Sequence, residues 1–482
     1  MRRASDPIEL RVRDAARGDL LDAGSPRAGP GGAAEESPSG PELASGSSLL
    51  RDTFSRIAAI ASSVLLGGIA AFVTARWLGP SGQGFASTLG FMSSIAAMAL
   101  SLGLGDSAVT LVAWGRRPLR EAMANTLGWS LASSALGALP FFAIATLILG
   151  PDDLPTRLTV AIVSLTVVPA VLALMGTHLL RVLGNLVASS GALFATSLAT
   201  TASIVLFVAV LHLGLPGAGA ATTCGALCGL AVSLHRVGRT TPIPLPRWEF
   251  SYLREAAPYG LKVQSSNMLW LAWGRVDLLL VYALLGAAAA GRYSIALTLG
   301  AMAGMPAYAL TFTAFPRLAR AAPEARAALI ARLVRLATVV TFAVFLLLAA
   351  VLPVAIPLAL GDRFEPAVVP AIMLSAGAMP SAAQWLLARG FAAAGEPNLT
   401  LVSLTLNVVV MCGLDLVLIP LFGLAGAAAA SVLAPAAGLA PCLRRFARDD
   451  SLRDLAPRWR ESVQLAGRSL RSLPPLRHRA AP

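Results

Sequence analysis

The sequence predicts an all-α protein that crosses a membrane about twelve times, as two successive six-helix bundles. Three observations lead there. First, of the 482 residues 56% are hydrophobic and only 13% charged, and the mean hydropathy is +0.71. That is too little charge to cover a surface facing water. Second, apolar runs of roughly twenty residues, the length that spans a bilayer core, recur along most of the chain. They are continuous and Ala/Leu-rich rather than alternating, which argues against a β-barrel. Third, small-residue phrases repeat at one offset. Gly79 and Gly84 are echoed by Gly286 and Gly291, and Gly219-Ala220-Ala221 by Gly426-Ala427-Ala428, each 207 residues later.

In chain order, residues 1–48 are rich in Gly, Pro, Ser, Ala, Arg and Glu. Such a segment buries too little apolar surface to offset its ordering entropy, so a disordered cytoplasmic tail is expected. No apolar stretch follows Arg2-Arg3, so a signal peptide is not expected. Helices are predicted near 51–78, 84–113, 120–149, 156–181, 186–213 and 217–237. A second set is predicted near 254–286, 290–315, 328–357, 366–391, 398–420 and 423–445. Gly and Pro punctuate the joints, as at Leu78-Gly79-Pro80, Gly150-Pro151 and Leu215-Pro216-Gly217. The implied organisation is a tail (1–48), a bundle (49–237), a basic Pro-rich cytoplasmic linker (238–253), a second bundle (254–446) and a basic tail (447–482). The last of these reads either as a helix on anionic lipid or as a plain solvated tail. Six is an even number, so both repeats enter the membrane from the same side and are parallel repeats.

The net charge of +13 follows topology rather than nucleic acid, since no aromatic-interleaved basic patch is present. With the amino end inside, the inner joints carry Arg116, Arg117, Arg120, Arg181, Arg236, Arg239, Arg247, Arg254, Arg317, Arg320, Arg326, Arg332, Arg335 and Arg389. The outer joints carry Arg76, Asp152, Asp153, Arg157, Arg292, Asp362, Arg363 and Glu365. This asymmetry places both termini in the cytoplasm. Cys224, Cys228, Cys412 and Cys442 form no metal or disulfide pattern, and no metal or cofactor is expected.

Ionisable residues inside a membrane are costly and point to function. The first helix of the second half carries Lys262, Asn267, Arg275 and Asp277. Lys262, Ser266 and Asn267 lie near one face at helical spacing, with Arg275 less closely aligned. Lys262 sits near the inner end, where snorkelling is the competing explanation. Asp106, Arg181, Arg389 and Asp415 are secondary candidates, His178 lies beside Arg181 near the inner end of the fourth helix, and His212 reads as interfacial. No HExxH, catalytic triad, paired-carboxylate set or P-loop is evident, and no loop is large enough for a catalytic domain, so no enzyme activity is expected. Cavity arginine suits an anionic ligand, because it stays charged and grips phosphate oxygens as a fork.

ARWLGPSGQGFAS, LSLGLGDSAV and GRVDLLLVYALLGAAAAGRYSIALTL resemble the polysaccharide and lipid-linked oligosaccharide flippases of the multidrug/oligosaccharidyl-lipid/polysaccharide exporter superfamily. The resemblance runs from about 50 to 445. It rests on Ala75, Arg76, Leu78, Gly79, Pro80 and Gly84, and on Asp277, Gly286, Gly291, Tyr293 and Ser294. It implies a V-shaped pair of bundles that rock around a central cavity in a bacterial cytoplasmic membrane. It implies a polyprenyl-pyrophosphate-linked sugar as substrate, and a glycan polymerase and glycosyltransferases as partners; a monomer is expected because two bundles already form a closed cavity. The candidate substrate residues are Arg76, Lys262, Asn267, Arg275 and Asp277. Few cations sit at central depth, which leaves room for other readings. One is a cation-coupled drug or small-molecule exporter using Asp106, Asp277 or Asp415. Others are a membrane-embedded glycan polymerase or ligase, and a scaffold acting through its tails. Arg76 is present only in the first half, so it reads as a sharper functional candidate than the turn beside it, either at the cavity mouth or snorkelling to outer head groups.

Overall fold

The computed structural model describes residues 46–449. The tails expected at 1–48 and 447–482 therefore lie almost wholly outside the described residues. Contacts separate residues 1–49 from 50–482, and everything below concerns the second unit.

Every regular element among the described residues is helical. The first, α1 (Gly46–Leu100), is continuous by hydrogen bonding but breaks at Gly79, where φ is 69° and ψ −175°. Pro80 follows, a residue suited to the first turn of a new helix. Eleven helices are long and apolar enough to cross a bilayer, and the first of these, Ala61–Ala113, has 53 residues. At 1.5 Å per residue it would reach about 80 Å, far more than the ~30 Å of a hydrocarbon core. The break at Gly79 makes it two crossings, so the described residues contain twelve. Exposed leucines such as Leu139 and Leu147 stand on outward faces, as lipid contact requires.

After a second break at Leu102 and Gly103, both with positive φ, come α2 (Leu104–Ala113), α3 (Leu119–Leu149), α4 (Leu154–Val182), α5 (Leu186–Ile204) and α6 (Gly214–Thr240). Asp153 caps α4 by accepting from the Thr156 N–H, and Asn185 caps α5 by accepting from the Ala188 N–H. The second half is α7 (Phe250–Leu285), α8 (Ala287–Gly300), α9 (Met305–Arg320), α10 (Pro323–Leu360), α11 (Val368–Ala393), α12 (Pro397–Phe422) and α13 (Leu424–Asp449). In the first half α4 packs on α6 and α6 on α5; in the second α12 packs on α13 and α13 on α11.

Helix α7 is shared between the halves. Its first part lies on the first half: Tyr252 and Ala256 are buried against Leu104, Ala108 and Ala122. The Ser107 hydroxyl donates to the Ala256 carbonyl at 2.8 Å, and Arg117 Nε to Glu255 at 2.8 Å. Gly103 and Gly260 meet so closely that a Cβ on Gly103 would lie 2.1 Å from the Gly260 carbonyl oxygen. Gln264 donates to the Met98 carbonyl. The last part of α7 belongs to the second half, where Leu278 and Val281 pack with Tyr293, Ile419, Ala427 and Ala428.

The repeated turns meet each other at the opposite end. A Cβ on Gly84 would lie 1.8 Å from the Ala287 carbonyl oxygen and 2.6 Å from the Gly291 nitrogen. A Cβ on Gly291 would lie 1.8 Å from the Pro80 carbonyl oxygen and 2.9 Å from the Gly84 nitrogen. Each turn thus offers the other the equivalent groups, as expected where two repeats pack about a pseudo-two-fold axis. Around this seam Ala75 is buried with Ile295, Leu352, Ile356 and Phe364, and Gln83 donates to Ser294 at 3.2 Å. The Gly79 end of the molecule is thereby tied across the two halves.

Candidate functional site

Between the halves lies a cavity of about 610 Å³. From the first half it is lined by α1, through Ser63, Val64, Gly67, Gly68, Gln83 and Ser87, and by α5, through Thr196 and Ser197. From the second half come Gly274, Arg275, Leu297, Thr298, Ala301 and Met305. Small residues hold the walls apart and hydroxyls give them polarity. Many of these hydroxyls donate to their own helix backbone, as Thr196 does to Ala192, so they present oxygen acceptors to a guest.

A second cavity, about 360 Å³, opens within the second half. It shares Val64, Gly274, Arg275, Leu297, Ala301 and Met305 with the first. Its own walls are Trp270, Trp273, Tyr308, Trp385, Gly300, Gly304, Gly377, Ser381, Asp277, Met411 and Ser431. Arg275 therefore stands where the two spaces join. Among the described residues it is the one charged side chain lining the larger cavity. Its side chain is exposed, and among the described residues no hydrogen bond or ion pair engages it. A guanidinium in that position offers a full fork of donors to an oxyanion guest.

Asp277 differs from its neighbour two residues earlier. It is 1% exposed and its carboxylate is engaged three times. The Tyr293 hydroxyl donates at 2.6 Å, the Ser431 hydroxyl at 2.8 Å and the Leu278 N–H at 2.8 Å. Asp415 on α12 is fully buried, and among the described residues neither of its oxygens has a hydrogen-bond partner. The sulfur of Met411, one turn before it, lies 3.8 Å from the Ser431 hydroxyl oxygen, so the two carboxylates lie in one region of the second half. A bare carboxylate in such a place is costly, and a proton or a small cation is the chemistry it invites.

The remaining candidates lie elsewhere. Arg76 is exposed and donates to the Ala359 carbonyl at 2.8 Å. That carbonyl is at the C-terminal end of α10, where a cation is favoured by the helix dipole. Arg76 thus joins the seam at the Gly79 end and lines neither cavity. Lys262 is exposed on the part of α7 nearer the first half, and Asn267 is half-buried; neither lines either cavity. Asp106 and Arg181 meet with His178 in a cluster joining α2 to α4. Asp106 Oδ1 is 3.3 Å from His178 Nδ1 and 3.5 Å from Arg181, and Arg181 is 2.8 Å from His178 Nδ1. Arg389 is exposed on α11, away from both cavities. The sequence reading missed the aromatic wall. Trp270 and Trp273 are three apart, hence on one face of α7, which was a usable signal; nothing local linked them to Trp385.

Comparison with solved structures gives the fold. A structure of lipid II flippase MurJ in an inward closed conformation superposes with a TM-score of 0.67 at 12% identity, covering 86% of this chain and 92% of that one. An inward-facing multidrug resistance MATE family transporter of the MOP superfamily gives 0.66 at 16% identity, covering 80% and 95%. An outward-facing MATE family transporter gives 0.55 at 15% identity, covering 83% and 95%. No curated protein matches the sequence significantly. The profile of the polysaccharide biosynthesis proteins matches residues 73–369. With more than half of its length matched in this way, the chain belongs to the polysaccharide biosynthesis protein family.

Proposed function

We propose that this chain moves the glycan head of a lipid-linked oligosaccharide across the bacterial cytoplasmic membrane by alternating access. The observation that carries the reading is Arg275, unpaired among the described residues, where the cavity between the halves joins the one within the second half. A diphosphate there gains a bidentate, charge-assisted contact. The sugar extends into walls of hydroxyls and small residues, while the prenyl tail stays among lipid. No bond is broken, so short loops suffice. The basic joints predict that the Arg117 end faces the cytoplasm. The seam at the Gly79 end then closes the outer side, and the conformer is the inward-facing one. The better superposition on an inward-facing than on an outward-facing transporter, 0.66 against 0.55, supports this. A polymerase and glycosyltransferases acting on the same glycan are the expected partners, and one chain encloses the whole cavity.

The test is reconstitution into vesicles with a fluorescent polyprenyl-diphosphate oligosaccharide, following glycan exposure to an added glycosidase. Arg275→Ala should abolish translocation and Arg275→Lys should retain part of it. Translocation at the original rate by a correctly inserted Arg275→Ala protein would refute the assignment.

A same-fold alternative, a cation-coupled exporter of small molecules, is favoured by one observation: Asp415, without a hydrogen-bond partner among the described residues, beside the Asp277–Tyr293–Ser431 cluster. The two readings join if this pair takes up the coupling ion while Arg275 takes the lipid-linked anion. Collapse of proton and sodium gradients in the vesicle assay separates them: gradient-independent flipping leaves the carboxylates without a coupling role.

A further inference from the structure

We infer that the smaller cavity is a carbohydrate-stacking subsite, which takes the sugar nearest the diphosphate; this rests on the flippase reading above. Its wall is aromatic. Trp385 packs edge-on against Trp273, with centroids 5.4 Å apart and planes at 86°, and against Tyr308 at 5.6 Å and 74°. Trp270 extends the group, 6.5 Å from Tyr308. Rings that brace one another by their edges leave other faces toward the space they line. Glycine stands across from them: a Cβ on Gly304 would come to 3.7 Å from Trp385, and among the described residues no side chain fills that place. The apolar C–H face of a pyranose is the natural occupant of an aromatic face, with hydroxyls left to bond at the rim.

Three observations favour a sugar over other guests. Among the described residues the Nε1–H of Trp385 has no acceptor and is closed off from the cavity; a hydroxylated guest that draws the ring toward it relieves that group, and a hydrocarbon tail does not. Arg275 stands at the entrance, so an organic cation is repelled there. Asp277, the acid in the same wall, already accepts three hydrogen bonds and has little left for an ammonium group. The volume, about 360 Å³, is at the small end of ligand cavities and suits one or two sugar units. The rest of the glycan has the larger, hydroxyl-lined space, reached past the same arginine.

The experiment measures binding to the purified full chain in nanodiscs with three probes: a short-chain prenyl diphosphate, the same molecule carrying one hexose, and ethidium. In the unmodified protein the hexose-bearing probe should bind more tightly than the bare diphosphate. Trp385→Ala and Trp273→Ala should each weaken the hexose-bearing probe about tenfold, as expected for loss of an aromatic contact with its hydrogen bond. Both should leave the bare prenyl diphosphate unchanged, which also shows that the variants are folded. Trp385→Phe, keeping a ring without the donor, should give a smaller loss. Arg275→Ala should weaken both diphosphates. Equal weakening of both diphosphates by the tryptophan variants would overturn the sugar assignment in favour of the prenyl chain and leave the flippase reading standing. Ethidium binding that depends on Trp385, with no preference for the hexose, would overturn it in favour of a cation site. Failure of both diphosphates to bind the unmodified protein would overturn the flippase reading and this inference together.

Discussion

Substituting Gly84 by alanine tests whether the repeated turns are the seal. The added Cβ would stand 1.8 Å from the Ala287 carbonyl oxygen, against the 3.4 Å at which ordinary contact begins, so the turns must part by about 1.6 Å. The neighbours are backbone atoms and cannot rotate away. Overpacking of this kind costs about 1–3 kcal/mol, all of it charged to the closed state, because the contact is absent once the turns separate. The closed-to-open ratio should fall by about 5–150-fold. The assay replaces the four native cysteines, places one at Thr298 in the larger cavity, and times its labelling by an impermeant maleimide added at the Gly79 end. Gly84→Ala and Gly291→Ala should both accelerate labelling. Their combination should do less than the sum of the two, since both relieve one contact. Gly90→Ala, on the same limb with nothing within 4 Å of its Cβ, should change nothing. Unaltered labelling in both seam variants, with the cysteine reactive from the opposite end, would show that these turns do not gate the cavity.

Other outcomes follow from single contacts. Tyr293→Phe removes the 2.6 Å donor to buried Asp277 and should lower stability by about 1.5–3 kcal/mol, read from thermal unfolding in detergent. Arg76→Ala loses only an exposed bond to the Ala359 carbonyl, so it should cost about 0.5–1.5 kcal/mol and spare glycan translocation, unlike Arg275→Ala. Gly103→Ala meets both a φ of 65° and a carbonyl 2.1 Å away. It should raise hydrogen exchange over 250–264 while leaving α12 and α13 unchanged. The Asp153 carboxyl is held below its ordinary value by the Thr156 hydroxyl and then by the Thr156 N–H. Its contribution is therefore present above the usual carboxylate range and lost as pH falls through the lowered value; Asp153→Ala should flatten that part of the acid unfolding curve.

The helices and the repeat were legible because both are written in local patterns. Apolar runs interrupted at Gly79, Gly150 and Gly361 place the crossings, and the 207-residue echo marks equivalent turns. What the echo is for was not legible. Gly84 and Gly291 meet only in three dimensions, and an offset carries no distance. The same limit hid the acid pair, since Asp277 and Asp415 come from helices 138 residues apart in sequence. Arg275 stood out because a cation deep in an apolar helix is costly, a property visible from one helix alone. Trp385 did not, because an aromatic ring in an apolar run looks like any other core residue. Arg76 attracted notice as a lone cation at an outer joint. Its partner is a carbonyl at the end of α10, and backbone acceptors leave no mark on a sequence.

Helix α7 is fastened at both ends to different bodies. Its amino-terminal part is held to the first half by the Ser107, Arg117 and Gly103 contacts, its carboxy-terminal part to the second half through Leu278 and Val281. Any change in the angle between the halves must flex the span from Gln264 to Asp277, as a tie rod bends between two anchored blocks. Gly274 and Arg275 lie in that span. On the function proposed above, the arginine offered to the guest is thus mounted on the part under bending load, and a motion that reorients the cavity would also re-aim its grip.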